Sequence, residues 1–248
     1  MLEIWLERIL AFGLFWGIWL MVPLLVDVST AMVYFINFLS NQKRSVEKKE
    51  ELSFFPYVTV IIPVYNSADT LGFCLDSIAQ QAYPKECIQI ICVNNGSEDE
   101  SFDLFQRFQY RHPEISVTWS SLDRAGKSMA LNAGLYSSQG SYLINVDADT
   151  CLDPEAILNV VKVFENDPSL AAATGSIRVD KNLGQGSSFM DIINYCEVIE
   201  YIVAFDIGRR YQDLKNSIFT LSGAFSVFRR EIILQAFLYQ ARIVSEDT

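Results

Sequence analysis

The sequence predicts an α/β protein: a mixed, mostly parallel sheet with helices on both faces, preceded by an N-terminal transmembrane helix. Three observations carry this reading. From Phe55 onward, short apolar runs rich in Val and Ile alternate with stretches whose apolar residues recur at helical spacing. Ahead of them, Ile9 to Val26 contains no charged residue, and after Asp27 the apolar character resumes through Phe38. Half of the 248 residues are apolar and a fifth are charged, which is enough for one sizeable core together with a membrane segment.

Residues 1–39 form the membrane segment. The apolar stretch is long enough for a bilayer, which takes about 20 residues, and Trp5, Trp16, Trp19, Tyr34 and Phe35 supply aromatic side chains of the kind found at membrane interfaces. The run is too long, and too poor in basic charge ahead of it, for a cleaved signal peptide. Only Arg8 precedes the span, whereas Lys43, Arg44, Lys48 and Lys49 follow it. The positive-inside tendency therefore places the remainder of the chain in the cytosol. Pro23 predicts a kink in a single span; two shallow re-entrant segments are the alternative. Residues 40–54 are charged and read as a linker.

Residues 55–248 form the folded domain. Thr59–Val64 reads as a buried strand, and Leu71, Cys74, Leu75 and Ile78 follow at helical spacing. A second strand spans Ile88–Val93, a helix is marked by Leu104, Phe105 and Phe108, and a third strand runs from Ile115 to Trp119. Lys127–Leu135 opens a helix, Tyr142–Val146 is a strand, and Ile157, Val160, Val161 and Phe164 give the next helical stripe. Further on, Phe189–Phe205 reads as a helix with Tyr195, Cys196, Ile199, Ile202 and Val203 on one face. Ile218–Phe228 reads as extended, and Arg230–Tyr239 as a short helix. In a parallel sheet covered on both faces, ligands bind at the carboxyl ends of the strands.

Charge and composition exclude several functions. A net charge of −11 and a pI near 4.6 would repel a polyanion, so nucleic-acid binding is not expected. The five cysteines, Cys74, Cys87, Cys92, Cys151 and Cys196, show no C-x-x-C spacing. They are expected to be reduced thiols, mostly core residues, in a cytosolic compartment. The single histidine, His112, sits in a polar Arg-His-Pro turn, which leaves no basis for a His-dependent triad or a multi-His metal site.

Four stretches at successive strand ends carry the chemistry. Pro63-Val-Tyr65-Asn66 combines a rigid turn, an aromatic ring and an amide, suited to packing and hydrogen-bonding a base. Asn94-Asn95-Gly96-Ser97 places two amides at a turn, where each could meet a uracil edge, or simply form an Asn-Gly turn before a helix. Gly126-Lys127 sets a lysine at a helix start, where a diphosphate finds a cation and free backbone N–H groups. The glycine spacing of a P-loop is absent. Finally, Asp147 and Asp149 leave the strand Tyr142–Val146. Alternate residues on an extended segment point the same way, so the pair could share a hard cation; a solvated, capped strand-to-helix turn is the other reading.

In this order, P-x-Y-N, an N-N-G-S turn in place of the usual acidic one, G-K-x-x-A-L-N, D-x-D, S-G-A and E-D resemble the family 2 glycosyltransferases over roughly Phe55 to Thr248. Within that family the chain is similar to membrane synthases of β-linked polysaccharides such as poly-N-acetylglucosamine, chitin, hyaluronan and cellulose. The resemblance implies a Rossmann-like GT-A fold and a UDP-sugar donor with Mg²⁺ or Mn²⁺. It also implies inversion at the anomeric carbon, with sugar added to a growing polysaccharide or a lipid-linked acceptor. Carried over by position, Pro63, Tyr65 and Asn66 face the nucleotide, Asn94 contacts uracil and Lys127 lies near the diphosphate. Asp149 with Asp147 holds the metal. Ser222, Gly223 and Ala224 lie on the acceptor side, and Asp247, beside Glu246, is the general base. The implied location is the inner or plasma membrane with the catalytic domain in the cytoplasm, in contact with membrane lipid and with export-channel subunits as possible partners.

The sequence also departs from the family pattern. Asn94-Asn95 stands where at least one Asp is usual, and Ser67 where an acidic residue commonly follows P-x-Y-N. The 248 residues contain neither the family's Q-x-x-R-W motif nor its C-terminal apolar spans, so a C-terminal truncation is expected. The alternatives are transfer of one sugar to a polyprenyl phosphate, or an inactive GT-A domain serving as a membrane-bound nucleotide-binding subunit.

Overall fold

The computed structural model describes residues 2–41, 52–122, 126–179, 188–214, 218 and 220–235. The chain divides into two compact units, Met1–Lys48 with Arg178–Ser217, and Lys49–Ile177 with Ile218–Thr248.

In the first unit, α1 (Leu2–Asn41) is one continuous helix that carries Pro23 in its interior. Its Ala11–Val33 portion has a mean hydropathy of 1.9 and no buried residue, so by length and composition it can cross a membrane. α6 (Ser188–Tyr201) continues through a π-helical stretch, Ile202–Ile207, into α7 (Gly208–Leu214), and α7 lies against α1. The helix predicted from Phe189 is present and extends further than expected. Its apolar residues Ile192, Ile193, Ile199 and Val203 are exposed.

The second unit is a six-stranded sheet in the order β3-β2-β1-β4-β6-β5. β1 (Val58–Val64), β2 (Ile88–Asn94), β3 (Ser116–Ser121) and β4 (Tyr142–Val146) are parallel, and β6 (Phe225–Arg229) is antiparallel to both β4 and β5 (Ala172–Thr174). The apolar runs of β1, β2 and β4 arise because both of their faces are covered. On one face, Val58, Val60, Ile62 and Val64 pack with residues of α2 (Leu71–Ala79), α3 (Ser101–Arg111) and α5 (Ala156–Asn166). On the other, Ile61, Ile91 and Leu143 meet Ala130, Leu131 and Leu135 of α4 (Lys127–Ser137), with Ile233 of α8 (Arg230–Gln235) beside them.

α4 approaches the sheet closely at one point, where a Cβ on Gly134 would lie 2.4 Å from Ile61 Cγ2. Any larger residue there would push this helix outward.

Three details differ from the sequence reading. β5 was not foreseen, because its three half-buried residues are too few to show a periodicity. Of the cysteines, all free, Cys74 and Cys92 are buried, whereas Cys151 and Cys196 are exposed rather than in the core. The pair Asp147 and Asp149 does not continue the strand: β4 ends at Val146, and Thr150 N–H donates to the Asp147 carbonyl at 3.0 Å, closing a turn. Most of the linker, and residues 236–248, lie outside the described residues.

Candidate active site

Because β1, β2 and β4 are parallel, their carboxyl ends share one edge of the sheet. A cavity of about 540 Å³ opens there, lined by Pro63, Tyr65, Asn66, Ser67, Asp69, Thr70, Asn95, Lys127, Asp147, Ala148 and Asp149. That volume lies within the range of small-ligand pockets. Six residues singled out from sequence, namely Pro63, Tyr65, Asn66, Lys127, Asp147 and Asp149, therefore converge. Tyr65, one of the lining residues, is 60% exposed.

The loops after β1 and β2 are laced together by hydrogen bonds. Asn66 N–H donates to Ser97 Oγ at 3.1 Å, and Glu98 N–H donates to Asn66 Oδ1 at 2.9 Å. Ala68 N–H donates to Asp99 Oδ2 at 2.7 Å, and Ser67 N–H to Ser101 Oγ at 3.1 Å. Asn66 has φ 44° and Gly96 φ 92°, left-handed conformations that asparagine tolerates and glycine adopts freely. Burial opposes ionisation of Asp99, yet hydrogen bonds from the Ser101 hydroxyl and the Ala68 and Ser101 amides hold its carboxyl below the usual carboxylate range. The sequence marks Asp99 only weakly, through its Ser-x-Asp setting.

Asn94 and Asn95 have different tasks. Asn94 Oδ1 accepts the Ser97 N–H at 2.8 Å and closes the turn. Asn95 is the member of the pair that lines the cavity, and its Oδ1 accepts the Gly126 N–H.

Lys127 Nζ lies 3.1 Å from Asp147 Oδ1, so the two form an ion pair in the lining of the cavity. Asp149 is exposed beside them. Beneath the pair, the Cys74 thiol donates to the Asp147 carbonyl at 3.6 Å. Burial, with smaller contributions from Cys92, Cys151 and both aspartates, pushes this thiol well above its ordinary pKa and keeps it protonated. Among the described residues no three His, Cys, Asp or Glu side chains cluster as a metal site. Two carboxylates on one cavity do fit a hard cation that takes its other ligands from water and phosphate oxygens.

Ser222, Gly223 and Ala224 precede β6 and do not line this cavity. Phe225 pairs with Val146, which puts the three residues at the same sheet edge, beyond the aspartates. Ser222 is buried, and its N–H donates to Thr174 Oγ1 at 3.1 Å. Glu246 and Asp247 lie outside the described residues.

The chain resembles proteins with known activities. Poly-beta-1,6-N-acetyl-D-glucosamine synthase of Staphylococcus aureus (strain MSSA476) is 27% identical over 217 residues, covering 87% of this chain and 50% of that protein. The chain thus spans about half the length of the curated relatives it matches. Two solved structures share the fold. One is the mannosyltransferase PcManGT from Pyrobaculum calidifontis, in complex with GDP-Man and Mn²⁺ (TM-score 0.60, 22% identity, 89% of this chain and 60% of that one). The other is S. aureus TarS 1–349 in complex with UDP (TM-score 0.56, 18% identity, 77% and 52%). Residues 59–237 match the family described as Glycosyl transferase family 2, and with that match spanning most of its length the chain belongs to family 2 of the glycosyltransferases.

Proposed function

We propose that the chain carries the donor-binding and catalytic region of a membrane-anchored, inverting glycosyltransferase that moves a sugar from a UDP-sugar onto a growing β-linked polysaccharide. One observation carries the reading: Tyr65, Lys127, Asp147 and Asp149 meet in one cavity at the carboxyl edge of the parallel strands. The polysaccharide synthase relative and the UDP complex of TarS support the acceptor and the donor. In this reading residues 1–39 anchor the protein, 40–54 link, and 55–248 form the catalytic domain on the cytoplasmic side.

The sheet order suggests how a donor would lie. Pro63, Tyr65 and Asn66 after β1 would receive the base, Lys127 the diphosphate, and Ser222–Ala224 beside β6 the acceptor side. Mg²⁺ or Mn²⁺ held by Asp147 and Asp149 would neutralise charge on the departing diphosphate, in keeping with the Mn²⁺ bound to PcManGT. Lys127 and Asp147 form an ion pair; a diphosphate would offer the lysine a stronger partner and leave the carboxylate to the cation.

In the transfer itself, the acceptor hydroxyl oxygen bonds to the anomeric carbon as the bond from that carbon to the diphosphate oxygen breaks. UDP leaves with the electron pair. The hydroxyl proton passes to a carboxylate base, the role the family resemblance gives Asp247, beside Glu246. A single displacement converts an α-linked donor into a β-linked product.

Calorimetry with the full chain in detergent tests the proposal. UDP should bind in the presence of Mn²⁺ or Mg²⁺ and far more weakly in EDTA, and Asp149→Asn should remove the metal dependence. Metal-independent binding that Asp149→Asn leaves unchanged would refute the metal assignment.

A further inference from the structure

We propose that Asn95 is a positioning residue that couples the base end of the cavity to its diphosphate end by fixing the start of α4, and with it Lys127. This rests on the nucleotide-sugar reading above and assigns a device within it. The backbone of Asn95 is pinned to β1, since its N–H donates to the Val64 carbonyl at 2.8 Å. From that anchored position its side-chain oxygen accepts the N–H of Gly126, the residue immediately before α4.

α4 has no side-chain cap hydrogen bond at its own N-terminus, and donors at a helix start lack intrahelical partners. Asn95 supplies an acceptor there from a different strand end. The Gly126 carbonyl meanwhile accepts Ala130 N–H at 3.0 Å. Gly126 is thus held on one side by the β2 loop and on the other by its own helix. The next residue is Lys127, whose ammonium stands 3.1 Å from Asp147. A continuous set of contacts therefore runs from the end of β1 through Asn95, Gly126 and Lys127 to the carboxylate after β4.

Asn94 has a different partner: its amide oxygen accepts the Ser97 N–H at 2.8 Å. The substitution of amide for acid at this turn has a physical consequence as well. A neutral oxygen orients Gly126 without adding negative charge near a lysine that must receive a diphosphate. Loss of this contact should loosen Lys127 and the backbone N–H groups at the helix start while leaving Pro63 and Tyr65 in place. The defect would then fall on diphosphate binding and spare the nucleoside.

The test compares UDP with uridine on the full chain in detergent, for the unaltered protein, Asn95→Ala, Lys127→Ala and the double variant. Asn95→Ala should weaken UDP roughly three- to tenfold, as for loss of one hydrogen bond, and change uridine by less than about twofold. In the Lys127→Ala background the same change should have almost no further effect, because both act through one contact. Without nucleotide, hydrogen exchange at the Gly126 amide should quicken in Asn95→Ala and stay slow in Asn95→Asp, which keeps an acceptor oxygen. Equal loss of UDP and uridine would make Asn95 a base contact and overturn the proposal. So would full additivity with Lys127→Ala, or unchanged Gly126 exchange. Absence of UDP binding in the unaltered protein would instead defeat the nucleotide reading, while the exchange measurement would still decide whether the clamp exists.

Discussion

β1, β2 and β4 are buried along almost their whole length, whereas the antiparallel half of the sheet is anchored differently. β5 is only half-buried, and β6 leaves the core at Phe228 and Arg229. In the parallel half, apolar burial on both faces fixes each strand, and hydrogen-bonded loops then fix the residues at its end. In the antiparallel half one side chain gathers the contacts. Arg229 Nη2 donates to the Phe164 carbonyl at 3.1 Å, its Nη1 to the Tyr142 hydroxyl at 3.3 Å and its Nε to the Leu170 carbonyl at 3.3 Å. Its guanidinium also lies 5.4 Å from the centroid of the Tyr142 ring and 5.6 Å from that of Phe164. The edge that carries Tyr65, Lys127, Asp147 and Asp149 is therefore expected to be robust to changes in β5 and β6, and the Ser222–Ala224 segment is not.

The largest effect should come from Arg229. Arg229→Met strips several carbonyls and a hydroxyl of their donor and should cost about 2–4 kcal/mol in chemical denaturation, with UDP affinity of the folded protein unchanged. A matching fall in UDP affinity would break the distinction between the two halves.

Gly134→Ala acts within the parallel half. A new Cβ against Ile61 should destabilise by about 1–3 kcal/mol, and because α4 bears Lys127 it should also weaken UDP. Destabilisation without weaker UDP would show that the helix start is insulated from the sheet.

A smaller effect is expected at Thr174, whose hydroxyl donates to the Phe225 carbonyl at 2.9 Å and accepts the Ser222 N–H. Thr174→Val should cost about 1 kcal/mol, spare UDP affinity and slow transfer to an acceptor oligosaccharide.

The smallest effect is a pH dependence. The folded-state pKa of Asp99 is depressed, so the loop lacing it supports is fully present above the ordinary carboxylate range and is lost as pH falls through the folded value. The Ala68 amide resonance, at the N–H bonded to Asp99, should shift on acidification, and Asp99→Asn should abolish that titration.

Much of this is legible in the amino-acid sequence. The Tyr142–Val146 run read as a strand and is one, because burial on both faces demands consecutive apolar residues. Lys127 read as a helix start and is one. Other features were not legible, for reasons that are not local. The aspartate pair was expected on an extended segment; a hydrogen bond across residues 147–150 turns it instead, and both carboxylates reach the cavity through that turn. Nothing in two adjacent asparagines says which faces the ligand. That depends on Gly126, thirty-one positions on from Asn95.

By itself, then, the amino-acid order determined the strands and helices other than β5 and which chemical groups stand at each parallel strand end, since periodicity and apolar run length are properties of neighbouring residues. Only the tertiary structure decided that β6 inserts antiparallel between β4 and β5, bringing Ser222–Ala224 to the edge that holds the aspartates, and that Asn95 rather than Asn94 reaches across to α4. Those outcomes depend on pairing and on hydrogen bonds between segments far apart in the chain, where no local pattern records the partner.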